Sequence, residues 1–175
     1  MKKIILLLLL LLSTLTNVVA QPNSSRCVTF LGADGQGTFF KPHKVPSDNK
    51  DVRFEYDMTY IEKKDSITLN FSFITKDMKE VESMYIQGDG KTLKPLYQQR
   101  LFIELQGEKF ITRIHTVFNF NKLRDLLSNS NSVSFIVVTK DKTYTNTYKK
   151  SDWKKERIVF NKIFYLTQML SHEKL

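Results

Sequence analysis

The chain has 175 residues, with 27 Lys and Arg against 18 Asp and Glu and a formal net charge of +9. Apolar residues make up 41% of the chain and charged residues 26%, a composition that excludes wholesale disorder. The single cysteine, Cys27, excludes an internal disulfide, and a chain of this length can fold without a disulfide or a metal ion.

Residues 1–20 have the pattern of a secretory signal peptide. Two lysines precede the unbroken apolar run 4–12, and Val18 and Ala20 occupy the −3 and −1 positions before Gln21. An uncleaved membrane anchor is the alternative. A membrane span needs about 20 apolar residues, and polar residues interrupt this stretch before that length is reached. The pattern therefore predicts cleavage before Gln21 and export to the bacterial periplasm or medium.

Residues 21–175 are expected to form one domain, because no linker or internal repeat follows the leader. The start of this domain is weakly patterned. Gly-rich residues 32–37 and Pro-containing residues 41–50 predict turns and loops, with short strands at Val28–Leu31 and Thr38–Phe40.

From Asp51 the sequence alternates between apolar and polar residues. Two segments, Phe54–Tyr60 and Ile67–Phe73, each place large apolar side chains on one face only. This period of two predicts antiparallel strands with one wetted face, and the polar turn at 62–66 joins them as a hairpin. A third strand is predicted at Val81–Gln87.

A second hairpin is predicted over residues 99–118, with Gly107-Glu108 as a two-residue type II′ turn. Continuous pairing from this turn places Arg100 opposite His115, with Arg113 two residues away and Glu104 diagonal to Arg113. Two arginines, a carboxylate and a histidine could bind an anion or transfer a proton. The alternative is a solvated polar sheet face with a cross-strand ion pair.

The last third of the chain mixes helix and strand patterns. Residues 118–130 switch to helical spacing, with Asn119 or Asn121 as the cap. The segment Val133–Val138 is apolar on both faces and predicts a central strand, with Ile136 and Val138 buried on one face and Phe135 and Val137 on the other. Residues 143–149 predict its hairpin partner, and Ser151 is expected to cap the final helix.

The final helix carries two apolar lines. The wider one spans an arc of roughly 160° at 100° per residue, and we assign it to the sheet. The second line consists of Ile158, Tyr165 and Met169, beside lysines. Either residues 21–50 cover this line, or it is a contact with a protein partner or a second copy of the chain.

Positive charge is concentrated near the start of this helix. Seven basic residues lie among three acids: Lys140, Lys142, Lys149, Lys150, Lys154, Lys155 and Arg157. Cations are disfavoured at a helix N-terminus, so helix stability does not explain the arrangement. The stretch predicts contact with an anionic envelope surface, or it is ordinary surface charge of a lysine-rich protein.

Together these patterns predict a mainly β (α+β) fold: an antiparallel β-sandwich or curved sheet, with one short inserted helix and a C-terminal helix packed on it. The sequence lacks a nucleophile elbow, a P-loop, a calcium loop and metal-ligand spacing, so no cofactor or metal is expected. We interpret the chain as an exported, non-enzymatic binding or assembly module that does not bind nucleic acid. The alternatives are a carrier of a small apolar ligand between sheet and helix, and an enzyme that uses His115.

Overall fold

The computed structural model describes residues 26–46, 52–62 and 64–172, without the side chains of residues 166 and 169–172. The predicted leader 1–20 and its cleavage site lie outside these ranges. The described strands are β1 (Cys27–Gly32), β2 (Gly35–Val45), β3 (Val52–Ile61), β4 (Ser66–Thr75), β5 (Val81–Gly88), β6 (Lys91–Leu93), β7 (Tyr97–Gln106), β8 (Lys109–Asn119), β9 (Val133–Thr139) and β10 (Thr143–Thr147). The helices are α1 (Phe120–Asn129) and α2 (Lys150–His172).

The strands form two antiparallel sheets. One has six strands in the order β1-β2-β3-β4-β8-β7, and the other has four in the order β10-β9-β5-β6. The described part of the chain is therefore mostly β with two helices, the last of them C-terminal, which confirms the predicted fold class. Tight turns between successive strands account for the antiparallel pairing, since a parallel pair would need a long crossover.

The hairpin of β3 and β4 forms the middle of the larger sheet, as predicted. Tyr56 lies opposite Phe71 and Phe54 opposite Phe73, and all four side chains are buried. The alternation of the sequence thus defines the core face correctly. On the opposite face it missed two residues, because Asp57 and Ser72 are also buried, at 3% and 8% exposure.

The predicted loop over residues 41–50 is wrong for its first part. Strand β2 continues to Val45, with a bulge in which Lys41 and Pro42 lie opposite the single residue Asp57. Proline has no N–H to donate, so a bulge is where a strand can accommodate it. The prolines that suggested a loop therefore mark an irregular strand.

The hairpin of β7 and β8 has the predicted turn, with Gly107 at a φ of 62° and Gln106 paired with Lys109. The predicted register fails beyond Phe102, because a bulge leaves Leu101 unpaired. His115 consequently lies opposite Gln99 and not opposite Arg100. A one-residue slip moves side chains to the other face of a sheet, and simple alternation cannot show where it occurs.

Strand β9 lies inside the smaller sheet, between β10 and β5, as predicted for an interior strand. Phe135 and Val137 are buried in the core, and Ile136 is 5% exposed on the opposite face. The prediction that Val138 is buried is wrong, since this side chain is only half-buried. It lies near the strand end, on the face directed away from the core.

Aromatic rings join the two sheets and α2 into one core. The Phe135 ring of β9 stacks on Tyr56 of β3 at 5.4 Å and on Phe71 of β4 at 5.5 Å. From α2, the Phe160 ring also stacks with Tyr56, with a centroid distance of 6.2 Å. The C-terminal helix therefore packs against the six-stranded sheet, as its wide apolar arc predicted.

Both helices begin at identifiable residues. The Asn119 side chain accepts a hydrogen bond from the Lys122 N–H at 3.0 Å, which makes Asn119 the cap of α1. Helix α2 starts at Lys150, so the prediction that Ser151 caps it is wrong; Ser151 lies within the first turn. Further along, Trp153 donates its indole N–H to the Ser130 carbonyl at 2.7 Å and fixes α2 to the end of α1.

Candidate ligand-binding site

Glu156 is a carboxylate on the buried face of α2. It lies three residues after Trp153 and four before Phe160, both of which are buried, and it is itself only 9% exposed. Ionised residues are seldom fully buried unless they are paired. Sequence analysis missed Glu156, although an acid at an inward position of an apolar arc is a signal that helical geometry could have found.

Two side chains from the larger sheet, and a third from the residue just before β1, satisfy this carboxylate. Tyr56 of β3 donates its hydroxyl to Oε1 at 3.3 Å. The other oxygen, Oε2, lies 3.3 Å from Nε2 of His43 in β2 and 3.5 Å from Nη1 of Arg26. Burial alone would raise the pKa of Glu156, but the hydrogen bond from His43 and the charges of His43 and Arg26 outweigh it and hold that pKa below its usual range.

Two buried tyrosines adjoin the carboxylate. Burial raises the pKa of Tyr56 well above its ordinary value, and neighbouring Tyr148 and Glu156 raise it further. Burial and the charge of Glu156 also raise the pKa of Tyr148. Both phenols are therefore neutral at physiological pH, and the Tyr148 hydroxyl makes no hydrogen bond within the described part of the chain.

A half-open cavity of about 230 Å³ adjoins this cluster, between β2, β3 and α2. Apolar side chains form most of its wall: Phe40, Pro42, Met58, Val159, Phe160 and Ile163. Its polar lining consists of Arg26, Lys41, His43, Tyr56 and Glu156, and the backbone N–H of Lys41 donates to the Arg26 carbonyl at 2.9 Å. The β2 bulge places Lys41 and Pro42 at this cavity, so the irregularity that sequence analysis interpreted as a loop contributes directly to the site.

The cavity combines an apolar wall with an excess of positive charge. Arg26 is half-exposed, at 49%, and among the described residues its guanidinium contacts Glu156 through one nitrogen, Nη1. A guanidinium presents five donors, so Arg26 can hold a second anion beside Glu156. The arrangement suits a small amphipathic molecule with an anionic group beside Arg26.

Three of the four residues predicted as a binding site share one face of the sheet, and the fourth does not. Arg113, His115 and exposed Glu104 lie on the outer face of the large sheet, with Glu104 diagonal to Arg113 as predicted, but Arg100 lies opposite core-facing Ile114. The separation follows from the bulge at Leu101, which turns Arg100 to the other side of the sheet.

Arg113 instead pairs with Asp57, a buried acid that sequence analysis did not single out. Its guanidinium donates to the Asp57 carboxylate and, at 2.7 Å, to the Ser72 hydroxyl. Asn70 donates to Asp57 at 2.9 Å, and its amide oxygen lies 2.9 Å from Nδ1 of His115. These bonds form a polar row across β3, β4 and β8 that stabilises the sheet face.

Asn70 separates His115 from the Asp57 carboxylate in this row. A catalytic histidine is commonly oriented by a carboxylate and faces a nucleophile. His115 instead contacts an amide and the edge of the Tyr97 ring, whose centroid lies 6.1 Å away. The geometry that would favour acid–base catalysis at His115 is absent from the described residues around it.

The predicted basic stretch divides into two groups. Lys140 pairs with Glu80 at 2.7 Å, Lys142 lies 4.6 Å from the centroid of the Tyr144 ring, and Arg157 donates to the Ser130 carbonyl at 3.2 Å. Lys149 also has an interaction partner. The remaining three, Lys150, Lys154 and Lys155, are exposed on α2.

The second apolar line of α2 faces solvent where it is described. Ile158 is 52% exposed and Tyr165 is 59% exposed, so the described residues of the N-terminal segment do not bury them. The side chain of Met169, the third member, lies outside the described residues.

Comparison with known protein families, with curated proteins and with solved structures finds no match. The function therefore has to be inferred from this chain's own geometry. Across residues 26–46, 52–62 and 64–172, no group of three or more His, Cys, Asp or Glu side chains is placed to hold a metal ion. Neither helix in these ranges has the length and hydropathy to cross a membrane.

Proposed function

We propose that the protein is an exported, non-enzymatic binding protein, and that the cavity between β2, β3 and α2 holds a small amphipathic ligand with an anionic group. The observation that carries this proposal is that one cavity is lined both by apolar side chains and by Arg26, Lys41 and His43. Ligand sites in proteins are mostly apolar, with a few polar groups that fix orientation.

The size of the cavity limits the ligand. Pockets that hold drug-sized molecules have volumes of about 300–1,000 Å³, and this cavity measures about 230 Å³. A short-chain or aromatic carboxylate is of suitable size. Its apolar part would contact Phe40, Met58 and Ile163, and its carboxylate would accept hydrogen bonds from Arg26.

A larger apolar cargo inside the molecule fits less well. The space between the sheets is filled by the stacked rings of Tyr56, Phe71 and Phe135, and Phe160 closes it from the helix side. The cavity lies at the margin of this filled core. A role as a carrier is therefore proposed only for small ligands that bind at the margin of the core.

Trp153 provides a direct test, because it is the only tryptophan of the chain and its ring lies 5.9 Å from that of cavity-lining Phe160. Octanoate, benzoate and phenylacetate would be titrated against the protein while Trp153 fluorescence and the melting temperature are recorded. At least one is expected to shift both. Val159→Phe, which fills the cavity from its half-buried wall, is expected to abolish the shifts.

Arg26→Gln has a closely matched control in Arg53→Gln. Both arginines are about half-exposed, and each has a guanidinium nitrogen 3.5 Å from a glutamate oxygen, but Arg53 does not line the cavity. Arg26→Gln is expected to weaken carboxylate binding at least tenfold, and Arg53→Gln to leave it unchanged. Equal losses in both variants, or saturable binding unaffected by Val159→Phe, would contradict the proposal.

Export is tested separately from ligand binding. Expression of the whole chain in an exporting bacterial host, followed by N-terminal sequencing of the recovered protein, is expected to give Gln21 as the first residue. A membrane-bound product that still begins at Met1 would overturn the predicted cleavage and localisation, and would leave the cavity proposal untouched.

A further inference from the structure

The exposed side of α2 combines positive charge with two large apolar side chains. We define the outer α2 face as the exposed residues Lys150, Lys154, Lys155, Ile158, Asn161, Lys162 and Tyr165. At 100° per residue these positions fall within an arc of roughly 140°, opposite the buried arc that contains Trp153 and Phe160. The face carries four lysines and no acidic residue.

The acids of α2 do not neutralise this face. Glu156 is buried on the opposite side, where it contacts Arg26, His43 and Tyr56. Asp152 is half-buried and lies beyond the edge of the arc, beside Val159. The lysines therefore present an unbalanced positive surface around the exposed side chains of Ile158 and Tyr165.

Charge decides between the partners that such a face could bind. A two-fold contact between copies of the chain centred on Ile158 and Tyr165 would bring the lysines of both copies together without a counter-charge, which is unfavourable. An anionic surface complements all four lysines at once. Lysines beside a tyrosine and an aliphatic side chain are typical of helices that lie in a membrane interface.

We infer that the outer α2 face docks on an anionic phospholipid surface, with the axis of α2 parallel to it. Ile158 and Tyr165 are two turns apart, about 10 Å along the helix. Both can insert at the headgroup level while Lys154, Lys155 and Lys162 contact phosphates on either side. This docking is independent of the cavity ligand, since the cavity adjoins the opposite side of α2.

The test measures co-sedimentation with vesicles, using the protein as it is recovered from an exporting host. Vesicles of equimolar phosphatidylglycerol and phosphatidylcholine are expected to bind it, and pure phosphatidylcholine vesicles are not. Binding is expected to weaken as salt is raised, because the contacts are between exposed charges. Tight binding to pure phosphatidylcholine would overturn the inference.

Two double charge-reversal variants distinguish binding through the outer α2 face from attraction by the net charge of the protein. Lys154→Glu/Lys155→Glu is expected to lower vesicle affinity by at least about 25-fold, since each lysine near an anionic membrane contributes a factor of about five. Lys91→Glu/Lys94→Glu, which changes net charge equally at two exposed positions in and just after β6, is expected to retain most of the affinity. Equal losses in the two variants would contradict a specific face.

Tyr165→Ser distinguishes a lipid interface from other anionic partners. It is expected to weaken vesicle binding without changing the salt dependence, because it removes an inserting ring and no charge. If soluble polyglutamate binds as tightly as the vesicles and Tyr165→Ser has no effect, the inference is wrong and the partner is an acidic polymer. If analytical ultracentrifugation shows self-association that Tyr165→Ser abolishes, the inference is wrong and the partner is a second copy of the chain.

Discussion

Tyr56 and Tyr148 are equally buried, at 3% exposure each, but only one of them has a hydrogen-bond partner for its hydroxyl. Tyr56 donates to Glu156, whereas the Tyr148 hydroxyl has no partner among the described residues. A buried polar group without a partner loses its hydration and gains nothing in return. The Tyr148 hydroxyl lies close enough to the Tyr56 hydroxyl to influence its pKa, but it should contribute less to stability than the Tyr56 hydroxyl does.

Replacement of each tyrosine by phenylalanine tests this difference. Tyr56→Phe is expected to lower the free energy of unfolding by about 1.5 kcal/mol, the lower end for a hydrogen bond to a charged group. Tyr148→Phe is expected to be neutral or stabilising by up to about 1 kcal/mol. Urea denaturation at neutral pH measures both, and equal losses would show that the hydroxyls have equivalent environments.

Glu156 makes stability depend on pH in a defined direction. Folding lowers the pKa of Glu156, so the folded state favours the ionised carboxylate. That contribution is fully present above the pKa of an unfolded glutamate, about 4.3, and is lost as the pH falls through the lower folded-state pKa.

Glu156→Gln is expected to remove this pH dependence. The variant should be less stable than the parent by about 1–3 kcal/mol at pH 7, because Arg26 and His43 lose a charged partner. The difference should shrink as the pH falls below about 4. Urea denaturation between pH 7 and pH 3 measures it, with exposed turn residue Glu108→Gln as the control, expected to change stability by no more than about 0.5 kcal/mol. A constant difference across this range would contradict the lowered pKa of Glu156.

At the scale of one element, β3 carries two ion pairs on the same face, and one is more deeply buried than the other. Asp57 is 3% exposed and pairs with Arg113, whereas Glu55 lies two residues earlier and pairs with half-exposed Arg53 at 3.5 Å. Removal of one member of a buried pair leaves the other charge without compensation. Exposed pairs contribute little, because water and salt screen them.

Asp57→Ala is therefore expected to cost about 3 kcal/mol of the free energy of unfolding. Glu55→Ala is expected to cost less than about 1 kcal/mol. Both substitutions are compared by thermal and urea denaturation. Equal costs would mean that the polar row over the sheet behaves as an ordinary solvated surface. That is the alternative given above for the face that carries His115.

At the scale of the whole molecule, α2 has two faces with separate roles. Phe160 contacts Tyr56 of the large sheet and lies beside Trp153 and Phe164, so it links the sheet to the buried face of the helix. Tyr165, five residues later, is 59% exposed. One face therefore packs in the core, and the other is exposed to solvent.

Phe160→Ala is expected to lower the free energy of unfolding by about 3–5 kcal/mol, the cost of a large cavity in a packed core. Tyr165→Ala is expected to change it by no more than about 0.5 kcal/mol. Far-UV circular dichroism and Trp153 fluorescence should report the same transition for the parent protein. A strong destabilisation by Tyr165→Ala would show that this ring is part of the core and not of a binding face.

Much of the fold follows from local sequence patterns. Alternation defines β3, β4 and their buried face, the Gly107-Glu108 turn defines the β7–β8 hairpin, and helical spacing defines both helices. These signals are local because each depends on a few neighbouring residues and on the period of one element. The export signal is of the same kind and stays a prediction.

The site was decided by long-range geometry. Bulges at Lys41–Pro42 and Leu101 shift the register by one residue; the first builds the cavity rim, and the second separates Arg100 from His115. Glu156 meets His43 and Tyr56 only because α2 packs across β2 and β3, and both partners are at least 100 residues away along the chain. Alternation and helical period determine which face of an element is buried, but which buried groups meet depends on the packing between elements, which no local pattern contains.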